Sequence, residues 1–179
     1  MSAPGGETSA RQHEAQAAQD IPSVRAAVVT VSDTRTVETD TSGRILRDAL
    51  TADGHTVAFY RIVKDDSELI HKALHDATGD PDCDAIIFNG GTGITKRDTT
   101  FDVLDRVLEK RLVGFGEIFR YLSYLDIGPA AIMSRATAGT YRNRIVISIP
   151  GSSAAVRLAW EKLIGPQLPH MVWELVRQG

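Results

Sequence analysis

One cysteine, Cys83, stands in 179 residues, so no intrachain disulfide framework is open to this chain. That usage fits a reducing compartment, and the expected location is cytoplasmic. No apolar run approaches the ~20 residues needed to span a bilayer, and the first residues lack the basic-then-apolar order of a secretory signal. Neither a membrane nor an export route is therefore expected. A basic excess is missing as well. The 20 Lys and Arg against 23 Asp and Glu leave a net charge of -3, which argues against a nucleic-acid partner held by bulk electrostatics. A local cationic pocket for a phosphorylated small molecule remains compatible with that balance. Two common phosphate-binding fingerprints are also absent, Gly-x-x-x-x-Gly-Lys-Ser/Thr and Gly-x-Gly-x-x-Gly.

What is present is ordinary for a globular domain, with 42% hydrophobic and 24% charged residues. The length suits one domain with a substantial core and is too short for two. Residues 1–22 hold almost nothing to bury and read as a flexible extension, helical in part or covering a partner subunit. Residues 23–179 read as a single α/β domain.

Within that domain short β-branched runs alternate with amphipathic stretches. Strands are expected at 24–31, 56–63, 84–88, 130–133 and 145–149. A helix should start near Thr41 or Ser42, with Ile45, Leu46, Ala49 and Leu50 on one face and Gly54 as its stop. A second should start near Asp66 or Ser67 and carry Leu69, Ile70, Ala73, Leu74 and Ala77 on its apolar stripe. Further helices are expected at 101–108 and 117–124, after Ser152, and from Pro166 to about Arg177. A β-α-β-α-β order requires a mostly parallel sheet with helices on both faces, a three-layer α/β/α architecture.

In such open sheets ligands sit beyond the carboxyl ends of the strands. Four segments fall there: Ser32-Asp33, Asp65-Asp66, Asn89 to Asp98, and Pro150 to Ser153. Gly90, Gly91 and Gly93 let backbone approach a ligand and present amides to an anion. Thr92 adds a hydroxyl, Lys96 and Arg97 add positive charge, and Asp98 stands where a cation ligand would be useful. At Asp65-Asp66 one carboxylate can cap the following helix while the other is free for chemistry, and the residues alone leave open which does which. Mg²⁺ is held by one or two carboxylates together with substrate phosphates and water, and Asp65 and Asp98 could supply that pair. His71 and His75 share a solvated helix face with Glu68 and Lys72. Ser152 reads as a helix cap or phosphate donor, since no base is placed to activate it. Cys83 reads as a packed thiol, and Phe115, Phe119, Tyr121 and Tyr124 as core or subunit contacts.

With these residues in hand, the chain resembles the MoaB/MogA family of molybdenum cofactor biosynthesis proteins, collinearly from about Val24 to Leu168. The resemblance rests on Thr30-Val31-Ser32-Asp33, Asp40-x-Ser42-Gly43, Gly90-Gly91-Thr92-Gly93 with Arg97-Asp98, Gly114-Phe115-Gly116-Glu117-x-Phe119-Arg120, Ser134-Arg135-Ala136-x-Ala138-Gly139 and Pro150-Gly151-Ser152. The Ala159-Trp160-Glu161 and Pro166-Gln167-Leu168 stretches are closest to the MoaB branch. The resemblance implies a molybdopterin adenylyltransferase that uses Mg²⁺ and ATP and releases pyrophosphate. It implies Asp65 and Asp98 as catalytic, metal-holding carboxylates. It implies Ser32, Asp33, Gly90, Gly91, Thr92, Gly93, Arg97, Ser134, Arg135, Gly151 and Ser152 as the pterin and nucleotide pocket. It also implies a homotrimer or homohexamer, with other molybdenum cofactor biosynthesis proteins as a further partner class. A second expectation is a molybdopterin-binding scaffold oligomer that uses the same pocket without catalysis.

Overall fold

A computed structural model describes residues 5–177 of the chain. Helix α1 (Gly5–Asp20) comes first, followed by β1 (Arg25–Val31), α2 (Thr41–Ala52), β2 (Thr56–Val63), α3 (Ser67–Gly79) and β3 (Ala85–Asn89). Then come α4 (Thr100–Val107), β4 (Lys110–Arg111), α5 (Val113–Ile127), a 3₁₀ turn (Gly128–Met133), β5 (Thr137–Tyr141) and β6 (Arg144–Ile149). The chain ends in α6 (Ser153–Ala159), a π-helical turn (Trp160–Ile164) and α7 (Gly165–Val176).

The six strands form one sheet in the order β2-β1-β3-β6-β5-β4. The β2-β1-β3-β6 part is parallel, and β5 and β4 add antiparallel strands at one edge. Alternation along the strands sends side chains into two separate cores. Ala26 and Val28, Ala85 and Ile87, and Ile145, Ile147 and Ile149 meet helices α2, α6 and α7. Ala27, Val29, Val31, Ile86 and Phe88 face the opposite layer of α3 and α4. The three-layer α/β/α reading therefore holds. Among the described residues no helix is long and apolar enough to cross a membrane.

Several expected elements shift. Residues 130–133 do not form a strand. Pro129 fixes an early helical φ in the 3₁₀ turn, and Ile132 is 78% exposed, so this run is not a buried strand. The strand lies later, at β5, where Gly139 leaves no room for a side chain because a Cβ would come 2.1 Å from the Lys110 carbonyl. Pro166 stands in the first turn of the last helix, as expected, but that helix follows the one before it without a break. The π turn joins α6 to α7, with the Gly165 amide donating to the Trp160 carbonyl five residues back. That wider register absorbs the N–H that Pro166 lacks. Residues 5–20 are helical, and α1 docks on α7 through buried Ala17, a Trp173 Nε1 donation to Asp20 (2.8 Å) and a Gln167 donation to Glu14 (2.8 Å). Residues 1–4 of the expected extension lie outside the described residues.

One buried polar cluster ties the start of α2 to the sheet. Asp40 caps the helix by accepting from the Gly43 amide (3.0 Å) and also accepts from Ser42 Oγ (3.0 Å) and Tyr60 Oη (2.6 Å). Burial pushes the Asp40 carboxyl up, but the hydroxyls of Thr30, Tyr60 and Ser42 and the Gly43 amide outweigh it and hold the group below its ordinary value. Thr30 in turn accepts from Asn89 Nδ2 (2.9 Å), so β1, β2 and β3 share the same network. Because the folded-state carboxyl is depressed, its stabilisation is present above the unfolded value near ~4 and lost as pH falls below it. Asp40→Ala should lower unfolding stability by about 2–4 kcal/mol through the lost cap and stranded hydroxyls. Asp40→Asn, which keeps an acceptor, should cost less. Chemical denaturation at pH 7 and pH 3 measures both, and the gap between wild type and Asp40→Ala should narrow at the lower pH.

Candidate functional site

The four parallel strands end on one edge of the sheet, and the segments that follow them converge there. The Ser32 amide donates to the Val63 carbonyl (2.8 Å), joining the exits of β1 and β2. The Gly90 amide donates to the Ile149 carbonyl (3.0 Å), joining the exits of β3 and β6. These approaches leave no space for side chains. A Cβ on Gly90 would sit 2.3 Å from the Val31 carbonyl oxygen, and one on Gly151 would sit 2.9 Å from the Gly90 Cα. Gly90 and Gly91 also adopt φ of 98° and 63°, a region costly for residues with a Cβ. Only glycine serves at this crossing.

The result is an open cleft of about 350 Å³ lined by Gly90, Gly91, Thr92, Gly93, Asp98, Met133, Ser134, Pro150 and Gly151. A smaller recess of about 100 Å³ shares Ser134 and Pro150 with it and reaches Ser152 and Asp126. Seven positions expected from the sequence therefore lie together on the main cleft, with Asp98 among them as a carboxylate.

Asp65 and Asp66 separate in role. Asp66 caps α3, accepting from the amides of Glu68 and Leu69 at 3.0 Å each. Asp65 turns the other way. Its Oδ1 accepts from the Thr99 amide (3.0 Å) and hydroxyl (2.7 Å), and its Oδ2 lies against Gly91, 2.5 Å from where a Cβ would stand. Asp98 is held similarly. Its Oδ2 accepts from the Thr95 amide (2.9 Å) and hydroxyl (2.5 Å). Foremost the Thr95 hydroxyl, with the Thr95 and Gly93 amides and the Arg135 charge, keeps the Asp98 carboxyl below its ordinary value against a smaller burial effect. Asp65 thus has one oxygen engaged by a threonine and the other turned toward Gly91, whereas at Asp98 the oxygen that Thr95 engages is also the one nearer Gly93, 2.7 Å from where a Cβ would stand.

That donor set suits a hard divalent cation. Two carboxylates with oxygen faces toward the same loop match Mg²⁺, which takes one or two protein carboxylates and draws its remaining ligands from phosphate and water. No cluster of three or more His, Cys, Asp or Glu among the described residues is placed to hold a metal, so an all-protein cage is not built here.

The other expected residues take different places. Arg97 pairs with Asp33, neither of them lining the cleft, and Asp33 Oδ1 also accepts from the Asp65 amide (3.2 Å). Ser32 Oγ accepts from the amides of Thr34 (3.3 Å) and Arg35 (3.2 Å), so that oxygen shapes its own turn. Ser152 caps α6 through the Ala155 amide (3.2 Å). Arg135 lies under the glycine loop, bonded to its carbonyls. Sequence reasoning missed Thr95 and Thr99, which hold the two carboxylates, and Met133, which lines the cleft. Thr95 stands three residues before Asp98, the spacing of a local side-chain-to-backbone turn, and that signal was readable. Met133 came to the cleft through a 3₁₀ turn that no local pattern announces.

Comparison with known proteins fits this geometry. Residues 27–170 match a family model described as a probable molybdopterin binding domain. The chain belongs to the molybdopterin-binding family. Molybdenum cofactor biosynthesis protein B of Bacillus anthracis is 52% identical over 171 residues, covering 95% of this chain and 99% of that protein. A crystal structure of molybdenum cofactor biosynthesis protein B superposes with a TM-score of 0.85 at 53% identity, covering 87% of this chain and 98% of that one. The tungsten cofactor synthesizing protein MoaB from Pyrococcus furiosus superposes with a TM-score of 0.77 at 35% identity, covering 86% and 97%. A role in molybdenum cofactor biosynthesis follows for this member of the molybdopterin-binding family.

The two aspartates make separable predictions. Asp66→Ala should cost about 1 kcal/mol of stability, as an exposed cap does, and leave molybdopterin affinity unchanged. Gly91→Ala should weaken that affinity at least tenfold, because its Cβ would meet Thr100 Oγ1 at 2.2 Å and Asp65 Oδ2 at 2.5 Å and force the loop to move. Denaturant melts and fluorescence titration with molybdopterin check the pair.

Proposed function

We propose that this protein is a molybdopterin adenylyltransferase, joining AMP from ATP to the terminal phosphate of molybdopterin and releasing pyrophosphate. The single observation that carries the reading is the facing of Asp65 and Asp98 onto one glycine loop, each with an oxygen turned toward it. A phosphate-anchoring loop alone would serve a binding protein. Two oriented carboxylates beside it supply what a phosphoryl-transfer site needs in addition.

In the reaction a terminal phosphate oxygen of molybdopterin attacks the α-phosphorus of ATP. The bond from that phosphorus to the bridging α,β-oxygen breaks, and pyrophosphate departs with the electron pair. The nucleophile has a second pKa near ~6 and is largely dianionic at neutral pH, so no side-chain base is required. Asp65 and Asp98 would hold Mg²⁺, which neutralises charge building on the leaving pyrophosphate. The loop from Gly90 to Gly93 brings backbone close to the phosphates, and Lys96 and Arg97 place positive charge at the rim. Engagement of a phosphate by Arg97 would require it to leave Asp33, which is an exchange of one anionic partner for another. The Ser134 and Ser152 side of the cleft, with its smaller recess, is the part suited to the pterin.

Self-association is part of the proposal. On α5 and the following 3₁₀ turn, Tyr121, Tyr124, Leu125, Ile127, Ile132 and Met133 are each more than half exposed, while Gly116, Phe119 and Ser123 face inward. An apolar face of this extent supports burial against another copy, giving a homotrimer or homohexamer.

Asp98→Asn and Asp65→Asn should each lower AMP transfer by on the order of 10³-fold or more while molybdopterin still binds. Pyrophosphate release and equilibrium binding measure the two halves, and wild-type rates in both variants would remove the catalytic reading. A site that binds molybdopterin and releases no pyrophosphate would instead be a scaffold. The acid limb of the rate should fall near ~6 from the substrate phosphate, since Asp98 is held ionised well below that.

A further inference from the structure

Arg135 is the most heavily engaged cation near the cleft, and its bonds all run to the protein. Its Nε donates to the Thr92 carbonyl (2.9 Å), and its Nη2 donates to the Gly93 carbonyl and, at 3.4 Å, to the Asp98 carbonyl. Nη1 is anchored by both oxygens of Asp102 (3.0 and 3.1 Å), and the guanidinium stacks over Phe101 at 4.8 Å. A guanidinium has five N–H donors in a fixed plane. With these contacts filled, little donor capacity remains for a ligand.

The direction of the three carbonyls has a consequence across the peptide planes. In a trans peptide the C=O and the following N–H point in opposite directions. Drawing the Asp98 carbonyl toward Arg135 turns the Thr99 amide away from it, and that amide donates to Asp65 Oδ1 at 3.0 Å. Drawing the Thr92 carbonyl the same way turns the Gly93 amide outward, onto the side where the Asp98 carboxylate lies against Gly93. One side chain therefore orients the Thr99 amide that donates to Asp65 and the Gly93 amide that lies beside Asp98, whose own hydrogen-bonded amide is that of Thr95.

We propose that Arg135 is a positioning residue that touches no ligand: by gathering the carbonyls of Thr92, Gly93 and Asp98, it aims the Thr99 amide at Asp65, turns the Gly93 amide toward Asp98, and so fixes the loop on which both acids are set. This deepens the adenylyltransferase reading, on which the kinetic part rests. It also departs from the place in the ligand pocket that resemblance alone assigns to Arg135. A planar fork is essential to the role, because three carbonyls at different angles must be reached from one centre. Lysine, a point charge on a flexible stem, cannot reproduce it.

The test compares Arg135→Lys and Arg135→Met with wild type in the full chain. In both variants kcat for AMP transfer should fall on the order of 10²-fold, the scale of a roughly 1 Å misplacement, with KM for ATP and Kd for molybdopterin within about threefold of wild type. Amide hydrogen exchange, read by NMR, should accelerate selectively at Gly93 and Thr99. Asp102→Ala, which releases the Nη1 anchor, should accelerate the same amides to a smaller degree, and this serves if the Arg135 variants fold poorly. Full activity in Arg135→Lys would overturn the proposal, showing that charge alone suffices. A tenfold rise in KM or Kd with kcat retained would overturn it by making Arg135 a ligand contact. Unchanged exchange at Gly93 and Thr99 would overturn it as well. If wild type transfers no AMP, the adenylyltransferase reading fails by itself, and the exchange measurements still decide whether Arg135 aims these amides.

Discussion

The close crossing of β1, β3 and β6 at their carboxyl ends governs the rest of the site. Gly90 lies so near the Val31 carbonyl and Gly151 so near Gly90 that neither position has room for a Cβ. Packing at this crossing brings the chain leaving β3 directly over the chain leaving β6, and the cleft is the space those two departures enclose. A side chain at either glycine would push the strand exits apart. The floor would go with them, along with the position of the loop that carries Thr92 to Asp98. Behind the crossing, the Asn89-Thr30-Asp40 network fixes the same three strands from the buried side. The rigid part of the site is thus backbone and buried polar contacts. The chemical part is a short loop hung from it.

That division explains what could be read from the sequence. The β1-α2-β2-α3-β3 half was legible because each element carries its own period and stop. Gly54 ends the second helix at a φ of 82°, Asp66 caps the third, and Val24 to Val31 is a run with no polar interruption beyond Arg25 and Thr30. The second half was less legible because its elements are set by neighbours. Residues 130–133 are apolar yet wind into a 3₁₀ turn with an exposed Ile132. The α6-α7 helix survives Pro166 only through the π turn at Trp160–Ile164. Helix α1 has no sequence stripe to speak for it, and its few anchors are to α7, some 150 residues away.

The candidate site divides along the same line. Glycines and aspartates at strand ends were readable as residue types in a topological position, and Gly90 to Gly93, Asp98, Ser134 and Gly151 do share one cleft. The roles of Asp65 and Asp66 were not separable until the cap on α3 was seen. Arg97 and Arg135 were both read as cations for a ligand. In the structure Arg97 is held by Asp33, and Arg135 serves carbonyls of the glycine loop. Charge alone does not reveal its partner, since a guanidinium meets phosphate, carboxylate and carbonyl with the same fork. Family membership makes the ligand a molybdopterin.

The most direct measurement follows the label from ATP carrying a radioactive α-phosphate, incubated with the purified protein, molybdopterin and Mg²⁺. The account predicts that label appears on molybdopterin, one equivalent per pyrophosphate released, and that omitting Mg²⁺ stops the transfer. Molybdopterin bound by the protein but unlabelled, with ATP left intact, would contradict it.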